Sequence, residues 1–353
     1  MIVAGHTRYK AAKKLKLKEV PCIVADDLTE EQIKAFRLAD NKVSEQSEWD
    51  FDLLAAELDD LIDFDMTVFG FEEDVIEEEP EAKEDDFEAK LPEEPKAKRG
   101  DIYQLGNHRL MCGDSTSITD VEMLMDGSGV DISFTSPPYN AGTTPTEVKV
   151  NKTAKYENDA DDKSEEDYKQ FLIDFTNNAM LHSEYTFVNI QSLSNNKIAL
   201  IDYLYDLKDV YADTIIWDKM MSQPAMAENV LNSEFEYVHV FSAKANRAIG
   251  TKQFRGTISN IVHLQKQNRN EFSKIHNATF PIEFASFFVK NFSNESVLDL
   301  FGGTGTTLIA CEQLDRSCFM MEYDPKYVDV IIDRWEQFTG QKAVLLNPDS
   351  IAV

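Results

Sequence analysis

Apolar positions along the chain fall into short runs suited to buried strands, separated by stretches of helical periodicity, the alternation that builds an open α/β sheet. Val130-Asp131-Ile132-Ser133-Phe134 reads as a strand entering Thr135-Ser136-Pro137-Pro138-Tyr139. Ser296-Val297-Leu298-Asp299-Leu300 is a second strand, followed by Phe301-Gly302-Gly303-Thr304-Gly305-Thr306-Thr307 and a helix from Leu308 to Leu314. Ser317-Cys318-Phe319-Met320-Met321 is a third and ends in Glu322. Residues 165–182 have helical periodicity and lead into a strand at Thr186-Phe187-Val188-Asn189-Ile190. Residues 141–169 are rich in Thr, Lys, Asp and Asn, carry little apolar periodicity, and predict a mobile loop.

The first 75 or so residues have a different pattern. A basic helix starts near Gly5-His6-Thr7-Arg8-Tyr9-Lys10, and Val20-Pro21-Cys22-Ile23-Val24 is strand-like. Thr29-Glu30-Glu31-Gln32 has the spacing of a capping box for a helix through Asp40. Residues 49–71 continue as helix and turn without visible chemistry.

A chain of 353 residues with 42% hydrophobic positions suggests two or three domains and a sizeable core. No apolar run approaches the roughly 20 residues that span a bilayer, and the start of the chain lacks a basic head followed by an apolar region. A cytoplasmic protein without membrane partners is expected. Cys22, Cys112, Cys311 and Cys318 form no C-x-x-C pair and are expected as reduced core residues, and no spacing implies a metal.

Two segments carry chemistry. In Ser136-Pro137-Pro138-Tyr139, the Ser136 hydroxyl and the Pro137 carbonyl can accept hydrogen bonds from an NH2 group, and the prolines fix φ so that the carbonyl stays aimed. Tyr139 offers a ring for stacking on a planar heterocycle. The tetrapeptide alone would equally end a strand or build a turn. The second segment lies 163 positions on, from Ser136 to Asp299. Gly303 and Gly305 allow close backbone approach, and the helix that follows presents unpaired N–H groups. Glu322, 23 positions after Asp299, stands where an acidic side chain commonly binds ribose hydroxyls. No lysine follows the glycines, so a nucleoside without phosphates fits better than a nucleotide triphosphate.

TSPPY, DLFGGTGTT and MEYDPKY together resemble the family of DNA N4-cytosine and N6-adenine amino-methyltransferases. The order, tetrapeptide before glycine loop, is similar to the permuted β arrangement of that family. The resemblance covers the chain from Arg99 onward and implies a doubly wound, S-adenosylmethionine-dependent methyltransferase sheet. Residues 100–115 resemble the family's opening hairpin, and Ile215-Ile216-Trp217-Asp218-Lys219 and Glu236-Tyr237-Val238-His239-Val240-Phe241 its later strands. The resemblance assigns Ser136, Pro137, Pro138 and Tyr139 to catalysis. It assigns Asp299, Phe301, Gly303, Gly305, Thr306 and Glu322 to the cofactor, with Asp114 facing its adenine. Residues 276–281 resemble the segment contacting the methionine end, with Thr279 as the contact. Ser136 favours cytosine N4, with adenine N6 as the alternative. A rival class is a DNA-binding module whose methyltransferase half is inactive.

Gly5, His6 and Arg8 match a Gly-x-x-Arg-x-x-Ala segment that resembles the ParB-like nuclease fold, so residues 1–75 are expected as a truncated, small α+β remnant of that fold. The formal charge of −29 is uneven. Residues 72–94 hold 13 acidic residues against two lysines, and with Pro80, Pro92 and Pro95 they read as a flexible acidic linker over residues 76–98. Residues 243–276 hold seven Lys or Arg against one Glu, and lie where permuted relatives carry target recognition. Double-stranded DNA is the expected partner, with Lys252, Arg255, Lys266 and Arg269 as candidate contacts. Asn140, Lys149, Lys152 and Lys155 in the loop after the tetrapeptide are placed near phosphates. A homodimer and a companion restriction enzyme are further partners that the resemblance allows.

Overall fold

The computed structural model describes residues 6–24, 29, 32–33, 81–87, 89–142, 162–223, 229–249, 258–264 and 280–348. The chain divides into two units, Met1–Glu77 and Glu78–Val353.

In the first unit, helix α1 (His6–Lys14) forms where the basic helix was expected. The capping box is also present: Gln32 Nα–H donates to Thr29 Oγ1 at 3.2 Å, and Thr29 N–H donates to Gln32 Oε1 at 2.9 Å. Two expectations fail. Residues 20–24 make no strand, and Cys22 is exposed rather than part of a core. Val20, Ile23 and Val24 are exposed with it, so the apolar run has no partner strand within the described residues to pair with.

The second unit is built on ten described strands in the order β10-β1-β2-β9-β8-β3-β4-β6-β5-β7. A hairpin of β1 (Ile102–Leu105) and β2 (His108–Cys112) turns at Gly106, whose φ of 55° suits glycine. Helix α2 (Ile118–Met125) leads to β3 (Val130–Thr135). Helix α3 (Glu165–Met180), capped by Ser164, leads to β4 (Ser183–Ile190), and α4 (Lys197–Asp206) to the long β5 (Tyr211–Gln223). After β6 (Ser233–Phe241) and β7 (Ile261–His263), α5 (Ile282–Phe292) precedes β8 (Ser296–Asp299). The chain closes with α6 (Thr306–Gln313), β9 (Ser317–Glu322), α7 (Pro325–Thr339) and β10 (Val344–Leu345). The sequence delimits α7 well: Asp324 accepts from Lys326 N–H at 2.9 Å, Pro325 opens the first turn, and Gly340 closes it at φ 71°.

Strands β2, β9, β8, β3 and β4 are parallel neighbours, and their side chains alternate between two cores. Val297 and Met320 face one core with α5, α6 and α7, while Leu298 and Met321 face the other with α2, α3 and α4. The first core is aromatic: Phe134 stacks on Phe288 at 4.4 Å and meets Phe280 and Phe284 edge-on, and Trp217 stacks on Phe284. Truncating Phe134, which is fully buried, would cost roughly 3–5 kcal/mol. The doubly wound α/β expectation holds, and Cys112, Cys311 and Cys318 are buried in this core as anticipated. No helix of the described residues is long and apolar enough to cross a membrane.

Two corrections concern segments read as loops. The described residues of 81–98, expected as part of a flexible acidic linker over 76–98, are held down at several points. Phe87 and Ala89 are buried with Val330, and the Lys96 and Ala97 N–H groups donate to the Asp329 carboxylate at 2.6 and 3.1 Å. Composition misleads here because Asp85 is paired with Arg334 across a buried contact rather than solvated. Asn140, expected near phosphates, is buried. Its side chain donates to Lys163 O and accepts from Lys163 N–H at 2.7 Å, tying together the ends of the segment between them. Lys149, Lys152 and Lys155 lie outside the described residues.

Candidate active site

The two sequence segments meet at the carboxyl edge of the sheet. Strands β3 and β8 pair in parallel through Ile132↔Val297 and Ser133↔Leu298, so Ser136 and the glycine loop leave the sheet side by side. From β8 the chain proceeds to β9 on one side, and from β3 to β4 on the other, making this junction the switch point where open α/β sheets bind ligands. A side-chain bond joins the two segments: Thr135 Oγ1 donates to Asp299 Oδ1 at 2.9 Å. Asp299 also accepts the Phe301 N–H at 3.0 Å, yet burial pushes its carboxyl up to about 6.

The loop after Asp299 is made of glycines for two different reasons. At Gly302 a Cβ would come within 2.8 Å of the Met320 side chain, so packing demands glycine. At Gly303, with φ 52°, a Cβ would meet no protein atom within 4 Å, leaving the backbone open to an incoming ligand. Gly305 caps α6 at φ 83°. Glu322 from β9 closes the far side: its Oε2 accepts the Gly303 N–H at 2.8 Å and its Oε1 the Asp324 N–H at 2.9 Å. Burial raises this carboxyl to about 7. Asp114 follows β2, which pairs with β9 at Cys112↔Glu322, and accepts from the Thr116 N–H and hydroxyl. Arg99 lies over the Tyr323 ring, and burial lowers its pKa against the opposing pull of Cys112, Asp114, Asp120 and Glu322. Two of the proposed residues have structural partners as well. The Phe301 ring packs edge-on against Phe171 and Phe175, and the Thr306 hydroxyl accepts from Arg334 at 3.3 Å.

On the other side of Asp299 the tetrapeptide enters a polar network that the sequence did not announce. Ser136 Oγ and Tyr139 Oη share a hydrogen bond of 3.1 Å, and Tyr139 Oη donates to Glu236 Oε2 at 2.8 Å. Asn189 Nδ2 from β4 donates to Tyr139 Oη at 2.8 Å and to Glu236 Oε2 at 3.0 Å. Lys219 Nζ from β5 lies 3.3 Å from Glu236 Oε1, and both side chains are buried. Burial, then the Glu236 charge, raises the Tyr139 phenol well above its usual range. Tyr139 was expected only as a stacking ring; its hydroxyl is fixed in this network. Asn189 Oδ1 is buried without a hydrogen-bond partner.

Comparison with known proteins decides the family. Residues 130–333, more than half of the chain, match the N6/N4-methyltransferase family of DNA methylases. The chain belongs to that family. The chain is 26% identical over 127 residues to the type II methyltransferase M.Cfr9I of Citrobacter freundii, a match covering 34% of the chain and 42% of the relative. It is 28% identical over 130 residues to the type II methyltransferase M.SmaI of Serratia marcescens, covering 34% and 44%. The chain thus spans less than half the length of the curated relatives it matches. Among solved structures it resembles the cytosine-N4-specific PvuII DNA methyltransferase, with a TM-score of 0.48, 16% identity, and coverage of 74% of this chain and 92% of that one. It also resembles an M1.HpyAVI–SAM complex, with a TM-score of 0.43, 18% identity, and coverage of 64% and 98%.

The expected DNA contacts fare differently. Lys252, Arg255, Lys266 and Arg269, and the cofactor candidate Thr279, lie outside the described residues. Within the basic segment, residues 261–263 form edge strand β7, paired in parallel with β5, and Leu264 O accepts from the Trp217 indole. Lys244 and Arg247 are matched by Glu184 and Asp213, so part of the segment's positive charge is already neutralised within the chain.

Proposed function

We propose that this methylase transfers a methyl group from S-adenosylmethionine to an exocyclic amine of a base in double-stranded DNA, with cytosine N4 favoured and adenine N6 as the alternative. The observation that carries this reading is the Thr135–Asp299 bond, because it abuts an amine-binding tetrapeptide and a glycine loop suited to a nucleoside. The residues fit the cofactor. Gly303 leaves the backbone open, Glu322 keeps lone pairs for ribose hydroxyls beyond its two backbone bonds, and Asp114 stands beside it for the adenine. Bound there, S-adenosylmethionine supplies an electrophilic methyl group on a sulfonium.

The protein's own side chains have three tasks. A base extruded from the duplex, at roughly a few kcal/mol, must be held, its amine oriented, and one amine proton removed after the N–C bond forms. Ser136 Oγ and the Pro137 carbonyl accept from the amine, with Pro138 holding the turn. Asn189 Oδ1, a buried acceptor without a donor, gives the same amine a further partner. Ser136, Tyr139 and Glu236 form a continuous hydrogen-bonded path along which that proton leaves, ending on a carboxylate held beside Lys219. No covalent enzyme intermediate is required, because the amine nitrogen is itself the nucleophile.

Residues 1–75 are read as a ParB-like accessory module, the tetrapeptide-first order as the permuted type, and the cell location as cytoplasmic. A homodimer and a companion restriction enzyme belong to the same reading. Duplex DNA incubated with the protein and methyl-tritiated cofactor should acquire label with wild type, and lose it by about a hundredfold or more with Ser136→Ala. Equal labelling by both proteins would remove Ser136 from the site.

A further inference from the structure

The acidic segment before Arg99 has no part in the reading above, yet it touches both elements that flank the glycine loop. Asp85 takes Arg334 bidentately, with Nε at 2.7 Å and Nη2 at 2.9 Å, and the two side chains are only 8% and 5% exposed. The remaining Arg334 nitrogen, Nη1, donates to Thr304 O at 2.9 Å and to Thr306 Oγ1 at 3.3 Å. Thr304 sits between Gly303 and Gly305, so one guanidinium joins the acidic strap to the loop backbone at the point left open to a ligand. The neighbouring carboxylate, Glu84, accepts the Ile282 N–H at 2.5 Å at the start of α5. Lys83 N–H donates to Gln313 at the end of α6, and Gln313 donates back to Lys83 O. At its other end the strap is pinned to Asp329 on α7, the helix that also carries Arg334.

We propose that Asp85 is a positioning residue for cofactor binding: through Arg334 it fixes the Thr304 carbonyl and thereby the conformation of the Gly303–Gly305 loop. This rests on the reading of that loop as the S-adenosylmethionine site. The physical basis is the fork geometry of arginine. With Asp85 holding two nitrogens, the third is fixed in place against the loop, and rotation of the Thr304 carbonyl would forfeit the shorter of its two hydrogen bonds. Loss of the carboxylate leaves a buried guanidinium that must seek water or another acceptor, and the loop moves with it.

The test uses the full-length protein and calorimetric titration with S-adenosylmethionine, alongside thermal unfolding. Asp85→Asn should raise the cofactor dissociation constant about tenfold, and KM for the cofactor likewise, with kcat at saturating cofactor changed by less than about twofold. Asp85→Glu should recover part of the affinity. Asp329→Asn, which loosens the strap without touching Arg334 or the loop, should lower the unfolding temperature and leave the dissociation constant within about twofold of wild type. If Asp85→Asn does not fold, Arg334→Lys serves in its place, because it keeps the charge but loses the fork, and the same rise is expected. Wild-type affinity in a folded Asp85→Asn or Arg334→Lys protein would overturn the proposal. So would an equal loss of affinity in Asp329→Asn, which would mean general loosening. Failure of the wild-type protein itself to bind S-adenosylmethionine would overturn the cofactor reading and this inference with it.

Discussion

Thr135 and Asp299, the last residues of two adjacent parallel strands, are joined by a buried 2.9 Å hydrogen bond that links the tetrapeptide to the glycine loop. Burial raises Asp299 to about 6, above the usual range for a carboxyl, so the unfolded chain gives up this proton at lower pH than the folded one. The stability this group contributes is therefore complete in acid and declines as pH rises from about 4 to about 6. Thr135→Val removes one donor to the carboxylate. It should cost about 1–3 kcal/mol at pH 7 and carry the decline to higher pH, while Asp299→Asn should flatten it. Urea unfolding across pH 4–8 on the three proteins measures all of this; a Thr135→Val slope identical to wild type would contradict it.

The network around Tyr139 separates two roles of one side chain. Tyr139→Phe keeps the ring but removes the hydroxyl bonded to Ser136, Asn189 and Glu236, whereas Tyr139→Ala removes both. Both should leave S-adenosylmethionine affinity near wild type. If the hydroxyl carries the proton path, Tyr139→Phe lowers single-turnover transfer by roughly tenfold to a hundredfold or more, and Tyr139→Ala lowers it further. Full activity in Tyr139→Phe would leave stacking as the residue's whole contribution.

The buried Lys219–Glu236 pair makes a sharper structural prediction. Replacing either partner alone, as in Lys219→Met or Glu236→Leu, leaves an uncompensated charge and should cost about 3–5 kcal/mol, while the double replacement should recover much of that loss. Chemical denaturation of the four proteins in the cycle provides the check. Additive single losses would show that the two charges do not interact.

Much of this site was legible in the sequence because it sits where strands end. Val130–Phe134 and Ser296–Asp299 are apolar runs that stop at chemically marked residues, and Glu322 lies at the end of the next strand. Asn189, Glu236 and Lys219 were not legible, because each stands inside or at the edge of a strand read only as core. Their meeting depends on the antiparallel register Asn189↔Val238 and Trp217↔Glu236, which local pattern does not encode. The acidic strap misled for the opposite reason. Its charge density signals solvation, and the one arginine that reverses that reading, Arg334, is 249 positions away in a helix. Likewise, Ile261–His263 lay within a basic segment whose net charge concealed an edge strand.

Glu322 should make cofactor binding depend on pH. Burial raises this carboxyl to about 7, so it is largely protonated at pH 6 and largely ionised at pH 8. The ionised form makes the stronger hydrogen bonds to ribose hydroxyls, so affinity for S-adenosylmethionine should rise by up to about tenfold over that interval. Glu322→Gln should bind more weakly and show no such rise. Titration calorimetry at pH 6, 7 and 8 decides it, and a wild-type affinity that is flat or falls with pH would contradict the assignment.

Removing the strap tests whether the acidic segment belongs to the second unit. A chain beginning at Glu78 retains Asp85 and Glu84, whereas one beginning at Arg99 leaves Arg334 buried without its carboxylate. The shorter chain should be less stable by about 3–5 kcal/mol. Equal denaturation midpoints for the two would mean that the strap adds nothing to the fold.

The central claim is tested most directly by digesting duplex DNA to nucleosides after incubation with the protein and S-adenosylmethionine, and identifying the products by mass spectrometry. The predicted result is N4-methylcytidine as the deoxynucleoside, with N6-methyldeoxyadenosine as the alternative product of the same site, and neither from the Ser136→Ala protein. Methylation at a ring carbon, or the same product from Ser136→Ala as from wild type, would contradict the account.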